Sequence, residues 1–118
     1  MGTFRMEQAT TDVALDKIAA LANEIWHEHF VPIIGLDQVN YMVGKFQSYP
    51  ALKDQVKEGY EYYRIFCGDA FAGYAGIRPE EDALFLSKLY LHKDYRGQHL
   101  STKALEFLKD YCHKHGLT

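Results

Sequence analysis

Arg96-Gly97-Gln98-His99-Leu100-Ser101 is the stretch of this sequence best equipped for chemistry. It follows an apolar run from Ala83 to Leu91 and opens an amphipathic helical pattern that reaches Gly116. A strand that empties through a short basic loop into a helix gathers unpaired backbone N–H groups at the positive end of the helix dipole. A phosphate or pyrophosphate binds well at such a point. Arg96 would add charge to the cradle. Gly97 serves either as part of it or as a plain turn residue. His99 is expected to point away from a bound anion, the alternative being a hydrogen bond donated to it.

Other chemistry-bearing residues read more plainly. His27 and His29, like His113 and His115, stand two apart on helical patterns, so their rings project to nearly opposite sides and cannot share one ion. No metal site is expected. Cys67 and Cys112 are far apart in sequence and read as reduced thiols. Glu80, Glu81 and Asp82 read as a solvated acidic turn, and Tyr60, Tyr62, Tyr63, Tyr74 and Tyr90 as packed strand aromatics. The sequence holds no Walker loop, dinucleotide fingerprint or Ser/His/Asp arrangement.

The elements that must position the basic loop can be read from periodicity. Thr3 to Ala9 alternates weakly, as an edge strand does, and Thr10-Thr11-Asp12 offers helix caps. Leu15, Ile18, Ala19, Ala22, Ile25, Trp26 and Phe30 recur at helical spacing, which predicts a helix from about Asp12 to His29, broken by Val31-Pro32-Ile33-Ile34-Gly35. Asp37 is expected to cap a second helix carrying Val39, Met42, Val43 and Phe46 inward, with Ser48-Tyr49-Pro50 closing it and a polar segment from Lys53 to Gly59 beyond. Tyr60–Cys67, Phe71–Ile77 and Leu84–Leu91, separated by Gly68-Asp69 and by Pro79 to Asp82, predict an antiparallel three-strand meander. The near-continuous apolarity of the last strand suggests a central position covered on both faces. In the final helix Leu100, Ala104, Leu105, Leu108, Tyr111 and Cys112 form the inward stripe, and Gly116 is the C-cap.

This layout, with Tyr95-Arg96-Gly97 between strand and helix, resembles the acetyl-coenzyme A signature of the GNAT superfamily of N-acetyltransferases, Gln/Arg-x-x-Gly-x-Gly/Ala. His99 and Ser101 stand where the family usually has small residues. The resemblance implies an α/β (α+β) fold, a mixed and mostly antiparallel sheet flanked by helices, over a single domain spanning residues 1–118. In the family a further strand, helix and strand pair follow, so the C-terminal part is expected to be missing here. The implied chemistry is acetyl transfer from acetyl-CoA, a cosubstrate, to a primary amine of a small molecule or peptide. Backbone of Leu89, Tyr90 or Leu91 would polarise the thioester, and the same residues would pair with the pantetheine arm. The pyrophosphate would take N–H groups from Gly97, Gln98, His99, Leu100, Ser101 and Thr102, beside Arg96. No general acid or base can be assigned. The alternative is a non-catalytic GNAT-like module that binds acyl-CoA or mediates association. The acceptor is unidentified, and the uncovered surface predicts a homodimer or completion by the missing segment.

Composition bounds the rest. The chain has 118 residues, 47% of them hydrophobic and 14% aromatic, enough for a packed core. A net charge of -3 and a pI near 6.0 argue against nucleic acid as a partner. With no span-length apolar run and no signal-peptide core at Met1 to Glu7, the expectation is a cytoplasmic protein away from membranes.

Overall fold

A computed structural model describes residues 4–95 and 99–117. Strand β1 is Phe4–Gln8, and the chain then turns into helix α1, Asp12–Ile34. Thr11 caps α1 by accepting the Ala14 N–H on its hydroxyl at 3.1 Å, and Asp12 places an acid in the first turn. The helix runs five residues past the expected break at His29. Pro32 removes one N–H near the helix end, yet its fixed φ is itself helical, so the chain stays wound. Gly35 ends it, at φ 88° and ψ 159°, a conformation open to glycine alone.

Helix α2, Leu36–Met42, begins at Gly35 with no side-chain cap, so Asp37 sits in the first turn and is not the cap expected of it. A π-helical turn, Val43–Gln47, follows directly. Its widened pitch turns Gln47 inward, where the amide oxygen accepts the Tyr74 hydroxyl at 2.8 Å, and leaves Phe46 exposed. Ser48-Tyr49-Pro50 opens a helix where closure was expected. Ser48 accepts the Ala51 N–H, Pro50 lies in the first turn, and α3 runs Tyr49–Lys57 through most of the segment read as polar loop. Its apolar anchor is one buried residue, Leu52, too sparse a signal to show as periodicity.

Strands β2 (Glu61–Cys67), β3 (Ala70–Pro79) and β4 (Leu84–Leu91) form the expected meander. With β1 they make an antiparallel sheet in the order β1-β2-β3-β4. Strand β4 is therefore an edge among the described residues, not a central strand, and Phe85 and Leu86 are exposed on it. Its apolarity reflects what it packs against, not its place in the sheet. A short 3-10 turn, Lys93–Tyr95, precedes helix α4, Leu100–His115, which ends at Gly116 in the left-handed region, φ 67°. Leu100, Ala104 and Leu108 of the expected stripe are buried, whereas Leu105 is 42% exposed.

Three layers result. Leu15, Ile18, Ala22 and Ile25 of α1 and Leu52 of α3 pack on Tyr62 and Tyr74 of one sheet face. Leu108 of α4 packs on Tyr63 and Ile77 of the other. Trp26, Val39 and Val43 extend the first core beneath Tyr90. Side-chain alternation along β4 thus sends Lys88 and Tyr90 toward α1–α3.

Candidate functional site

The end of β4 and the start of α4 are brought to one cavity of about 320 Å³, lined by Leu89, Tyr90, Leu91 and Ser101 together with Ile25, His29 and Phe30 of α1. Of the residues singled out in sequence, Leu100 and Thr102 flank Ser101 on α4 and His99 stands at its N-cap; Arg96, Gly97 and Gln98 lie outside the described residues. The α1 wall was invisible in the sequence because it is more than fifty residues away from the loop. Its only local signature, a cluster of aromatic residues at one helix end, reads equally well as core. Phe30 stacks near Trp26 with ring centroids 4.3 Å apart, and Tyr90 lies 5.8 Å from Trp26 and 5.5 Å from Tyr74. Burial pushes the Tyr90 hydroxyl above its ordinary range. His92 ties the strand end to α1 through Glu24 at 3.1 Å.

Backbone polarity at this cavity follows from the register. The His92 N–H donates to the Ala72 carbonyl at 2.7 Å, and Leu91, Tyr90 and Leu89 oppose Gly73, Tyr74 and Ala75. Bonded and non-bonded pairs alternate in an antiparallel ladder, so Tyr90 faces β3 and the peptide groups of Leu89 face the outer edge of the sheet. The break in β3–β4 register comes earlier, between Gly76 and Ile77, leaving Ser87 as the extra residue. Helix α4 enters this region with an amino end that has neither an acidic residue in its first turn nor a side-chain cap. Among the described residues its ladder begins with Lys103 donating to the His99 carbonyl, which leaves the first N–H groups outside the ladder. An extended amide-bearing chain along β4 and an anion at the α4 terminus both suit these groups. His99 itself is exposed and left-handed, φ 62°.

Sequence reasoning passed over Lys88. It is 8% exposed, and its ammonium donates to Tyr62 Oη at 2.6 Å and to Gln55 Oε1 at 2.7 Å. Tyr62 also donates to Gln55 Oε1, and Gln55 Nε2 donates to the Phe46 carbonyl at 3.1 Å. Desolvation lowers the Lys88 pKa to about 8. Tyr62, Gly76 and Lys88 form one cross-strand row, and only glycine fits between the other two: a Cβ on Gly76 would lie 2.8 Å from the Tyr62 ring. The available signal was a lysine inside an apolar run. A larger cleft of about 410 Å³ lies between β1–β2 and α4, where Glu61 accepts from the Tyr63 and Tyr111 hydroxyls.

A thin antiparallel sheet with α1–α3 on one face, α4 on the other and a strand-to-helix junction at one edge is the acyl-CoA N-acyltransferase architecture. The Acetyltransferase (GNAT) family model matches residues 18–118, and the chain belongs to that family. Among solved structures, the chain is similar to PaiA N-acetyltransferase from Thermoplasma acidophilum in complex with coenzyme A, with TM-score 0.81 and 15% identity over 98% of this chain and 75% of that one. A GCN5-related N-acetyltransferase from Ralstonia eutropha gives TM-score 0.68 at 11% identity, covering 98% and 79%. A predicted acetyltransferase with acetyl-CoA from Clostridium acetobutylicum gives 0.59 at 11%, covering 98% and 77%. At such identities the likeness is one of fold. A search of curated proteins finds no match. No described helix is long and apolar enough to cross a membrane.

Proposed function

We propose that this chain is an N-acetyltransferase that moves an acetyl group from acetyl-CoA to a primary amine. The observation that carries the reading is the junction of β4 and α4, where outward peptide groups at Leu89 and the uncapped amino end of α4 border one cavity. Pantetheine would lie along Leu89 to Leu91, and the pyrophosphate would take N–H groups from Gly97 to Thr102 with charge from Arg96. In direct transfer the amine, having lost its proton, attacks the thioester carbonyl. Backbone N–H at the strand end stabilises the oxyanion, and collapse expels the thiolate, which takes up a proton. Two solved relatives in fold hold coenzyme A or acetyl-CoA, which supports the choice of cosubstrate.

The test is calorimetric titration with acetyl-CoA beside a thiol-release assay over a panel of amines. Binding with amine-dependent thiol release is the expected result. Arg96→Glu sets a negative charge beside the pyrophosphate and is expected to weaken binding by about 2 kcal/mol. Equal affinity of variant and parent would remove the loop from the site, and binding without thiol release from any amine would leave an acyl-CoA-binding module.

A further inference from the structure

We propose that Lys88 is the recognition site for a carboxylate on the acceptor, so that the amine this chain acetylates is a small amino acid or a similar carboxylated amine. The inference rests on the acetyltransferase reading and goes beyond it by naming the acceptor's chemistry.

A second cavity, about 380 Å³, lies against β4. Its walls are Phe46 and Gln55 from the helical layer, Tyr60, and Phe85, Ser87 and Lys88 of the strand, with the exposed Glu58 also on it. Lys88 lines this cavity and Tyr90, two residues on and on the same face of the strand, lines the first. Lys88 is a buried cation whose described hydrogen-bond partners, Gln55 Oε1 and Tyr62 Oη, are both neutral. Among the described residues no carboxylate pairs with it. Tyr60 and Tyr62 add only ring faces, 5.9 and 5.2 Å from the ammonium.

A buried ammonium without a counter-ion is destabilising, and replacing it with an apolar side chain would ordinarily be favourable. Here the surroundings are shaped to keep it. The π-helical turn places the Phe46 carbonyl where it holds the Gln55 amide, which fixes the Gln55 oxygen toward Lys88. Gly76 lets the Tyr62 ring lie across to the same nitrogen. These two contacts use two of the three ammonium hydrogens, which leaves one for a ligand at the cavity wall. An anion of carboxylate size would meet a preoriented, desolvated donor, where the interaction is stronger than in water.

Position sets the length of the acceptor. Lys88 and Tyr90 share a face of β4 and stand about 7 Å apart. On that spacing a carboxylate held by Lys88 and an amine a few bonds away fit the distance to the residues expected to hold the thioester. A diamine would instead bring a second cation against Lys88 and be repelled.

The test compares 4-aminobutanoate, butylamine and 1,4-diaminobutane as acceptors with acetyl-CoA. The wild-type chain is expected to favour 4-aminobutanoate over butylamine by about tenfold or more in kcat/KM, with the diamine poorest. Lys88→Met, which keeps the stem and removes the charge, is expected to erase the preference while leaving acetyl-CoA affinity unchanged. Gln55→Glu supplies an internal carboxylate to Lys88 and is expected to erase it too, which covers the case in which Lys88→Met fails to fold. Butanoate alone, followed by thermal shift, is expected to stabilise the wild type and neither variant. Equal rates with butylamine, a preference that survives both substitutions, or a faster diamine would overturn the proposal. Thiol release absent with every amine would overturn the acetyltransferase reading instead, and the butanoate measurement would still decide on Lys88.

Discussion

His99 and Lys88 show how much can hang on single positions. His99 adopts φ 62° with no capping bond, a conformation that costs a non-glycine residue roughly 1–2 kcal/mol. Glycine relieves that strain and gives back part of it in unfolded-chain entropy, so His99→Gly is expected to stabilise the fold by about 0.5–1 kcal/mol in urea denaturation. If the exposed ring points away from the α4 amino end, as expected from the sequence, acetyl-CoA affinity should hold or rise; a loss would show that the imidazole holds the ligand. Lys88 governs alkaline stability. Its folded pKa of about 8 lies below the ordinary 10.5, so between those values the unfolded chain binds the extra proton and stability climbs with pH. Below pH 8 the penalty is present in full, on the order of 3 kcal/mol. Tyr62, Tyr63 and Tyr74 are raised above 10 by burial, and the stability they contribute is lost as pH passes 10. Denaturation midpoints of the wild type should therefore rise from pH 8 toward 10 and then fall. Lys88→Met should show no rise, and a wild-type curve flat from pH 8 to 10 would contradict the buried ammonium.

Strand pairing at the end of β4 depends on an element-scale feature, the bare backbone of β3. A Cβ on Gly73 would collide with the Tyr90 carbonyl oxygen and stand 3.1 Å from Leu91 Cα. Backbone cannot swing aside as a side chain can, so Gly73→Ala must separate β3 from β4 where the cavity is lined. Overpacking of this kind costs about 1–3 kcal/mol. The expected result is that loss of stability with a matching loss of acetyl-CoA affinity, read by denaturation and calorimetry. An alanine variant with unchanged affinity would show that the Leu89–Leu91 segment is not part of the site. The helical layer follows the same logic at Gly35, whose positive φ, and not Pro32, decides where α1 gives way to α2.

For the molecule as a whole, the position of β4 at the edge of the sheet among the described residues matters most. Leu84 and Leu86 of the strand and Leu105, Leu108 and Cys112 of α4 line an apolar groove of about 270 Å³, with Phe85 and Leu86 well exposed. Edge strands beside apolar surface pair readily with another chain. Apolar surface left in water forgoes roughly 25 cal/mol per Å². The 118-residue chain is therefore expected to self-associate as concentration rises, most simply as a two-fold dimer through this edge. Light scattering over a dilution series should show mass above the 13.6 kDa of one chain. A mass that stays at one chain throughout would remove the groove as an association surface.

The signals that proved legible in the sequence are local ones. The apolar and aromatic runs of β2, β3 and β4, the Thr11 cap, the Gly116 terminus and the order of β4 before α4 each depend on residues a few positions apart, so composition and spacing carry them. Leu89 to Leu91 and Ser101, the ends of neighbouring local elements, line one cavity. Tertiary structure decided what depends on distant partners. Helix α3 exists with a single buried anchor because Ser48 caps it and the sheet receives Leu52. Strand β4 became an edge because sheet order is set by which strands pair, and hydrophobicity along one strand does not encode that. His29 and Phe30 joined the site only when α1 crossed the sheet. Lys88 gained its meaning from Gln55 and Tyr62, 33 and 26 residues away, since desolvation and hydrogen-bond partners are properties of the packed interior and not of the residue type.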